Sequence, residues 1–504
     1  MAQVLPEVRE TLEALRGREM VFHREYSSFS EAQEYRFKHD LLQQVAYESV
    51  LKKLRRVYHA LVAEWLIEKS SARSSELLGL IATHLQKAGD GERAVDYYYR
   101  AGAQALASFA NQDAEKQFAA ALYLVEDGRA RTNILAGLGK AQEAQSQFEE
   151  AIQTWKQAIG LFVEQGDQDR TAELVGLSGR AACDSGDVKR GLSICRQGLA
   201  GLKGAAPGPG MASLLTDTAR ACYLNGVKDE IEHYAGEALV MAFQLQLPAM
   251  QADALINMAL VDFHSAASLQ QLQEAIRIAE AGHHNRQVAR AHNNLALVYL
   301  NRGEFEAAME HYRRTLASYR LVGNTNGQLY TAGNIFMTLL ILGRPDEVEA
   351  GLAEAEGLLR ILSGAASGIS RLRCEVAELH LRRGEFNDLE PLIETLGGEL
   401  RRNNDQQGLL AVLRTHLTYL LLMDSGQEAE EVCQEFIKIA HIENFVPDAH
   451  CCAFILAGKK GDPAQGLWHL QETRKYIEGG EPSFLQRHLY FARAEAHLLA
   501  AEQK

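Results

Sequence analysis

The sequence has no phosphate-binding loop. GxxxxGK[ST] occurs nowhere, and Gly139-Lys140 and Gly458-Lys459 lack both the upstream glycine and the following hydroxyl. HExxH, GxSxG, GxGxxG and the calcium-loop pattern are missing too, which leaves an enzyme reading without a residue to stand on. Only 9 prolines and 23% charged residues among 504 exclude long disordered tracts. Seven cysteines (183, 195, 222, 374, 433, 451 and 452) show no CxxC spacing, and their odd number does not suit a disulfide framework. They read as small apolar helix residues in a reducing compartment, with the adjacent Cys451-Cys452 as inert packing. No apolar run approaches the roughly 18 residues of a membrane span, and the first residues are too charged for a secretory signal. A cytoplasmic protein without a membrane partner is expected. The net charge of −14 argues against nucleic acid as a partner. His283-His284 with His292 is the nearest approach to a metal set. It lies in the polar link AGHHNR and reads as solvated histidines, so no metal and no cofactor are expected.

What is present is a helical rhythm, clearest in RAHNNLALVYLNRGEFEAAMEHYRRTL, Arg290 to Leu316. Leu295, Ala296 and Tyr299 share one helical face. After the turn at Gly303, Phe305, Ala308, Met309 and Tyr312 share another. The turn is too short for anything but an antiparallel helix pair. Small Ala296 and Ala308 let the backbones approach, and the aromatic rings fill the space around them. This pattern resembles a tetratricopeptide (TPR) repeat. Ala136–Phe162 echoes it with Phe148, Ala151, Trp155 and Ala158.

The small or apolar residue after each turn gives a register: Ala94, Ala114, Ala151, Gly191, Ile231, Gln271, Ala308, Val348, Leu389, Ala429 and Leu467. After Ala114 the steps are 37 to 41 residues, longer than the usual TPR of about 34. The step from Ala94 to Ala114 is half that, so helix 92–108 closes one pair and opens the next. Turns at SGD, NGV, RGE, LGR, DSG and KGD precede the anchors and place glycine where positive φ is needed. GAAPGPG at 204–210 and SGAASG at 363–368 read as loops.

Residues 1–74 differ from this pattern. A first helix is followed by two alternating runs, Met20–Tyr26 and Glu34–Lys38, that predict a β-hairpin; Asp40 to Glu68 then reads as helix in two pieces. Helix, hairpin and helix form the tail of a winged-helix module. Phe37-Lys38-His39, Val45-Ala46-Tyr47-Glu48, Arg55-Arg56 and His59 resemble the segment after the ATPase core in STAND-type signalling NTPases. The likeness is greatest to those attached to class III adenylate/guanylate cyclases and to large bacterial transcription regulators. The resemblance implies an upstream NTPase domain as partner and gives His39 a contact with nucleotide phosphates. The alternative for His39 is a hydrogen-bonded histidine at a hairpin-to-helix junction. The expected fold is therefore all-α: a right-handed TPR superhelix (α-solenoid) over 75–483, a winged-helix-like remnant over 1–74, and a C-terminal capping helix over 484–504.

One recurrence carries the chemistry of recognition. Asn257, Asn294 and Asn334 each precede their anchor by 14 residues, and Asp217, Glu375 and Thr415 hold the same offset. Asparagine is a mediocre helix former, while its amide both donates and accepts, as pairing with an extended peptide backbone requires. In peptide-binding TPR proteins asparagine at the matching inner-helix place does this. The resemblance gives Asn257, Asn294 and Asn334 that role, with Arg290, Asn301, His264 and Tyr330 about a turn away on the same groove. The competing reading is an asparagine that ties helices together between repeats. The functional expectation is a non-catalytic sensor or scaffold arm that binds a protein or peptide in a concave groove. The alternatives are a small-molecule inducer domain of a STAND regulator and a stand-alone TPR adaptor.

Overall fold

The computed structural model describes residues 6–24, 27, 33–69, 74–126, 128–262, 265–360, 367–402, 405–440 and 446–479. The expected capping helix over 484–504 lies outside them. Two compact units divide the chain after Gly137.

The first unit opens with α1 (Pro6–Gly17), the strands β1 (Val21–His23) and β2 (Tyr35–Phe37), α2 (Asp40–Ser49) and α3 (Lys52–Lys69). β1 and β2 pair antiparallel, with Val21 opposite Phe37 and His23 opposite Tyr35. This hairpin is shorter than the two runs expected from the sequence; Glu25 and Tyr26 lie outside the described residues. α2 and α3 are separate, as expected, and α2 buries none of its residues. Helix pairing begins with α4 (Ser74–Ala88), α5 (Gly91–Ala107) and α6 (Asn111–Leu124). α5 packs against both neighbours, which explains the half-length step between Ala94 and Ala114. Both anchors are fully buried.

The second unit takes up α7 (Arg129–Ala144) beyond Gly137 and continues as helices alone. The outer, even-numbered helices are α8 (Phe148–Glu164), α10 (Val188–Gly201), α12 (Lys228–Gln244), α14 (Ala266–Ala281), α16 (Phe305–Leu321), α18 (Pro345–Leu359), α20 (Phe386–Arg402), α22 (Gly426–Ile439) and α24 (Pro463–Gly479). Between them run the inner helices α9 (Gln168–Asp184), α11 (Pro209–Leu224), α13 (Pro248–Met258), α15 (Asn285–Asn301), α17 (Thr325–Ile341), α19 (Ser367–Arg383), α21 (Gln406–Met423) and α23 (Val446–Lys460). Inner helices pack on their hairpin partners and also on one another, α9 on α11, α17 on α19 and α19 on α21. The result is an all-α solenoid of antiparallel helix pairs, with outer helices starting every 37 to 41 residues. No helix among the described residues is long and apolar enough to cross a membrane.

The anchors mark the seams of this array because only small or apolar side chains fit where two helices cross. Ala151, Ile231, Ala308, Val348 and Leu389 are fully buried. Two anchors are corrected. Leu272, not Gln271, is the fully buried residue at that position of α14. In α24 Leu467 is 48% exposed, and Gly466 takes the buried place against Phe454 and Ala457. Apolar character misdirected that choice; the seam there is closed by a glycine, beside which the Phe454 ring and Ala457 lie at ordinary van der Waals distance.

Turn chemistry follows expectation with one exception. Gly186, Gly226, Gly303, Gly343, Gly384 and Gly461 hold positive φ. In the DSG turn it is Asp424 that adopts the left-handed conformation, φ 59°, while Gly426 begins α22. A short polar side chain tolerates that region better than most. Helix starts are fixed by acceptors: Asp167, Asp187, Asn324 and Asp405 each accept from the backbone N–H three residues on.

Candidate functional site

Because inner helices lie side by side, their exposed stripes merge into one polar groove in the second unit. A cavity of about 360 Å³ sits there, reaching from the ends of α9 and α11 across α15, α17 and α19 to the start of α21. Its wall carries four arginines (Arg220, Arg286, Arg290 and Arg371) against two aspartates (Asp184 and Asp405). Amides from Asn293, Asn294, Asn324, Asn326 and Asn334 line it too, with the rings of Tyr223, Tyr319 and Tyr330 and apolar side chains such as Leu224, Leu260, Leu297 and Met337.

Three of the arginines are tied to carboxylates of the inner layer. Arg220 on α11 donates to Asp184 on α9 at 2.6 Å. Arg290 on α15 pairs with Asp253 on α13 and donates to Asn257 Oδ1 at 3.0 Å. Arg371 on α19 lies 3.0 Å from Glu375 on the same helix and donates Nε–H to Asn334 Oδ1 at 3.1 Å. Burial works against these charges, and it wins at Glu375, whose carboxyl is pushed up despite Arg371. Asp184 holds Arg220 above its ordinary pKa, and Glu375 does the same for Arg371. Asp253 stays below the usual carboxylate range because Arg290 and Arg286 outweigh its burial.

Arg286 differs. It lies one turn before Arg290 on α15, lines the cavity and makes no hydrogen bond or ion pair among the described residues. Burial lowers its pKa and the like charge of Arg180 lowers it further, while Glu143 and Asp253 pull the other way. The guanidinium remains charged at any ordinary pH.

The structure separates the three asparagines. Asn257 is fully buried. Its Nδ2 donates to the Thr216 carbonyl of α11 at 2.8 Å and its Oδ1 accepts from Arg290, so it ties three helices together and does not line the groove. The expectation of a peptide contact there is corrected. α13 ends at Met258, which puts Asn257 in the final turn, and the shift of the seam to Leu272 changes its offset from 14 to 15 residues. Asn334 reaches the groove floor at 3% exposure, and both ends of its amide are engaged: Nδ2 donates to Asn293 Oδ1 at 3.0 Å while Oδ1 accepts from Arg371. Asn294 is partly buried, lines the cavity, and has only a long contact from Asn293 Nδ2 to its Oδ1, 3.4 Å. Of the three amides, it keeps its Nδ2 unspent.

Arg290 and Tyr330 line the cavity as placed by sequence. Asn301, the last residue of α15, is not part of its wall, and its Oδ1 is buried without a partner. His264 lies outside the described residues. In the first unit His39 is the exposed N-cap of α2 and makes no side-chain capping bond. Sequence reasoning missed Arg286, although its spacing of four from Arg290 sets both on one helical face. It also missed Tyr319, which comes from outer helix α16 and packs its ring over Gly327; no periodicity signals such a contribution.

Antiparallel helix pairs stacked in register, with a polar groove on the inner layer, define a helical-repeat protein. A family model, the tetratricopeptide repeat, matches residues 288–322, most of α15 and α16 with the turn between. No curated protein sequence matches the chain. Among solved structures, a Rap protein complexed with competence and sporulation factor is similar at 11% identity and a TM-score of 0.46, over 69% of this chain and 97% of that one. The apo form of the quorum sensor NprR from B. thuringiensis is similar at 16% identity and 0.43, over 64% and 92%. A signal transduction ATPase with numerous domains (STAND) from Pyrococcus horikoshii, which has a tetratricopeptide repeat sensor, is similar at 13% identity and 0.40, over 80% and 59%.

Proposed function

We propose that the chain is a non-catalytic binding arm of a signalling protein, and that an extended peptide or protein segment occupies the groove of the second unit. The observation that carries this reading is a cavity of about 360 Å³ whose wall holds unspent polar capacity at Asn294, Arg286 and Tyr330. The Asn294 amide matches the N–H and C=O of a backbone, while Asn257 and Asn334 act beneath it, holding Arg290 and Arg371 in place. A small-molecule inducer is the second reading. The cavity volume falls within the range of small-ligand pockets, and Tyr319 and Tyr330 offer aromatic surface.

The proposal extends to a cytoplasmic protein without a nucleic-acid partner, whose first unit docks an NTPase domain of the STAND type. In support, Leu41 and Val45 on α2, Leu51 between the helices, and Leu54, Val57 and Leu61 on α3 are exposed, and exposed apolar side chains gathered in one place mark an interaction surface. His39 would be the residue nearest the nucleotide in such an assembly.

A thermal-shift titration of the full chain against peptide pools and a metabolite set tests the groove. A specific peptide raises the midpoint in proportion to the logarithm of its concentration, and Asn294→Ala with Tyr330→Phe weakens that effect at unchanged helicity. A metabolite response without a peptide response transfers the proposal to the inducer reading. Silence in both sets removes it.

A further inference from the structure

A chain of three polar side chains crosses the first unit from α2 to α4. The Tyr47 hydroxyl on α2 lies 3.0 Å from His59 Nε2 on α3, and His59 Nδ1 lies 2.9 Å from Nδ1 of His84 on α4. His59 therefore spends both ring nitrogens on neighbouring helices. Tyr47 also carries the Arg55 guanidinium of α3 over its ring, 4.9 Å from the centroid. The elements joined this way are loosely seated. α2 buries none of its residues, and the buried residues of α3 are Ala63 and Leu66, both beyond His59. The stretch 40–62 can leave α4 without uncovering a buried helical residue of its own.

Two facing Nδ1 atoms share one hydrogen. With both rings neutral, donation runs from the Tyr47 hydroxyl through His59 Nδ1–H to His84, or back from His84 Nδ1–H through His59 Nε2–H to Tyr47. One added proton on His59 is tolerated, because the Tyr47 oxygen and His84 Nδ1 then both accept. A second proton sets two N–H groups and two like charges against each other, and the rings must part. The charged groups acting on these rings among the described residues are Arg55 on α3 and Lys87 on α4, both cations. The pairs within the repeats differ. His292, His450 and His469 are buried, and Glu310 or Glu472 favours their protonation. His59 and His84 are half-buried and have no such acid acting on them.

We propose that Tyr47, His59 and His84 form a pH-sensitive latch, which fastens α2 and the first half of α3 to the repeats at α4 while the rings are neutral and releases them in mild acid. The released segment carries the exposed Leu41, Val45, Leu54, Val57 and Leu61, so the latch governs where that apolar surface is held. Burial and the nearby cations lower the pKa of both rings from 6.5, and a ring so lowered takes up its proton when the contact opens. The closed state is therefore fully favoured above pH 6.5 and loses ground as pH falls below it.

Hydrogen–deuterium exchange of the full chain, read by mass spectrometry from pH 7.5 to 5.5 and corrected for intrinsic exchange rates, tests the latch. A 10-residue helix such as α2 is marginal once unsupported, so opening appears as lost amide protection. Protection over 40–62 should fall roughly 10-fold per pH unit below 6.5 for each proton taken up, while α9 and α11 keep theirs. His84→Gln leaves an amide to pair with His59 and removes the second proton, so protection should persist at pH 5.5. His84→Arg sets a permanent charge against His59 and should expose the same stretch at pH 7.5, with the helical content of the repeats unchanged by circular dichroism. Unchanged protection of the natural chain across this range overturns the latch. A loss of equal size in His84→Gln overturns it as well, because another group would then be titrating, and so does a loss spread evenly through α4 to α6, which is unfolding of the unit.

Discussion

Asn334 on α17 donates its amide N–H to Asn293 Oδ1 on α15 across 3.0 Å. Residues 41 apart thus engage each other in the floor of a groove, and the same amide supports Arg371 from the next inner helix. Polar positions repeated along a solenoid face a choice between a ligand and the neighbouring repeat. Here the array resolves it differently in each layer, and variants at the three asparagines should separate the two outcomes.

Asn257→Ala removes two buried hydrogen bonds, one to the Thr216 carbonyl and one from Arg290, and leaves part of the Arg290 guanidinium unsatisfied. The expected cost is about 2 to 4 kcal/mol in urea-induced unfolding. Asn294→Ala at the groove surface should stay within about 0.5 kcal/mol and weaken ligand binding instead. Equal losses of stability from the two would contradict this division.

Arg180 is a buried cation held between two acids, with side-chain exposures of 10% for the arginine and 19% and 6% for Glu143 and Asp217. Arg180→Met strands both carboxylates and should cost about 3 to 5 kcal/mol. Asp217 already has an unpartnered buried Oδ2, and burial raises its pKa despite Arg180 nearby. Adding Asp217→Asn to Arg180→Met should therefore recover part of the loss, measurable as a higher denaturant midpoint in the double variant.

Acid sensitivity should come first from histidine pairs. His292 and His311 approach Nδ1 to Nδ1 at 2.9 Å, and His450 and His469 repeat that geometry at the same spacing of 19 residues. One ring must donate and the other accept, so two protonated rings cannot share the bond. Burial, then the neighbouring ring, pulls His292 and His469 down to about 4 from 6.5, and His311 and His450 also fall. A folded-state pKa below the unfolded one means the unfolded chain binds more protons. The stability these pairs contribute is complete above pH 6.5 and is lost as pH falls from there toward 4. Denaturant midpoints between pH 7.5 and 4.5 should decline accordingly, and His292→Gln with His311→Gln should flatten the part of the slope above pH 5.

Gly179 on α9 and Gly191 on α10 face each other so closely that a Cβ on Gly191 would meet the Cys183 Sγ, and one on Gly179 the Cys195 Sγ. Gly191→Val should lower stability by about 3 kcal/mol or more through overpacking. Gly166→Asn, at a turn glycine with φ +70° and open space around it, should be nearly neutral because asparagine tolerates that region. A scanning calorimetry trace distinguishes the two.

The helix pairs were legible because burial on one face of each helix imposes a periodicity, and because turns between helices need residues that accept positive φ. Ala296, Ala308, Tyr312 and the glycines at 186, 226 and 303 announce both. Leu467 and Gly426 misled where those rules have substitutes: glycine filled the seam at Gly466, and aspartate took the left-handed turn at Asp424. The candidate site was legible only as a set of positions. A recurring asparagine declares a polar place on an inner helix, and Arg290 and Tyr330 fall near it.

By itself the sequence determined the all-α repeat, its period near 40 and the helix face on which polar residues recur, since these depend on neighbours within one or two turns. The tertiary structure alone decided that Asn257 is spent inside the protein and that Asn294 is not. Those outcomes hinge on how helices about 40 residues apart in sequence pack together, which sets which donor reaches which acceptor and leaves no trace in local pattern.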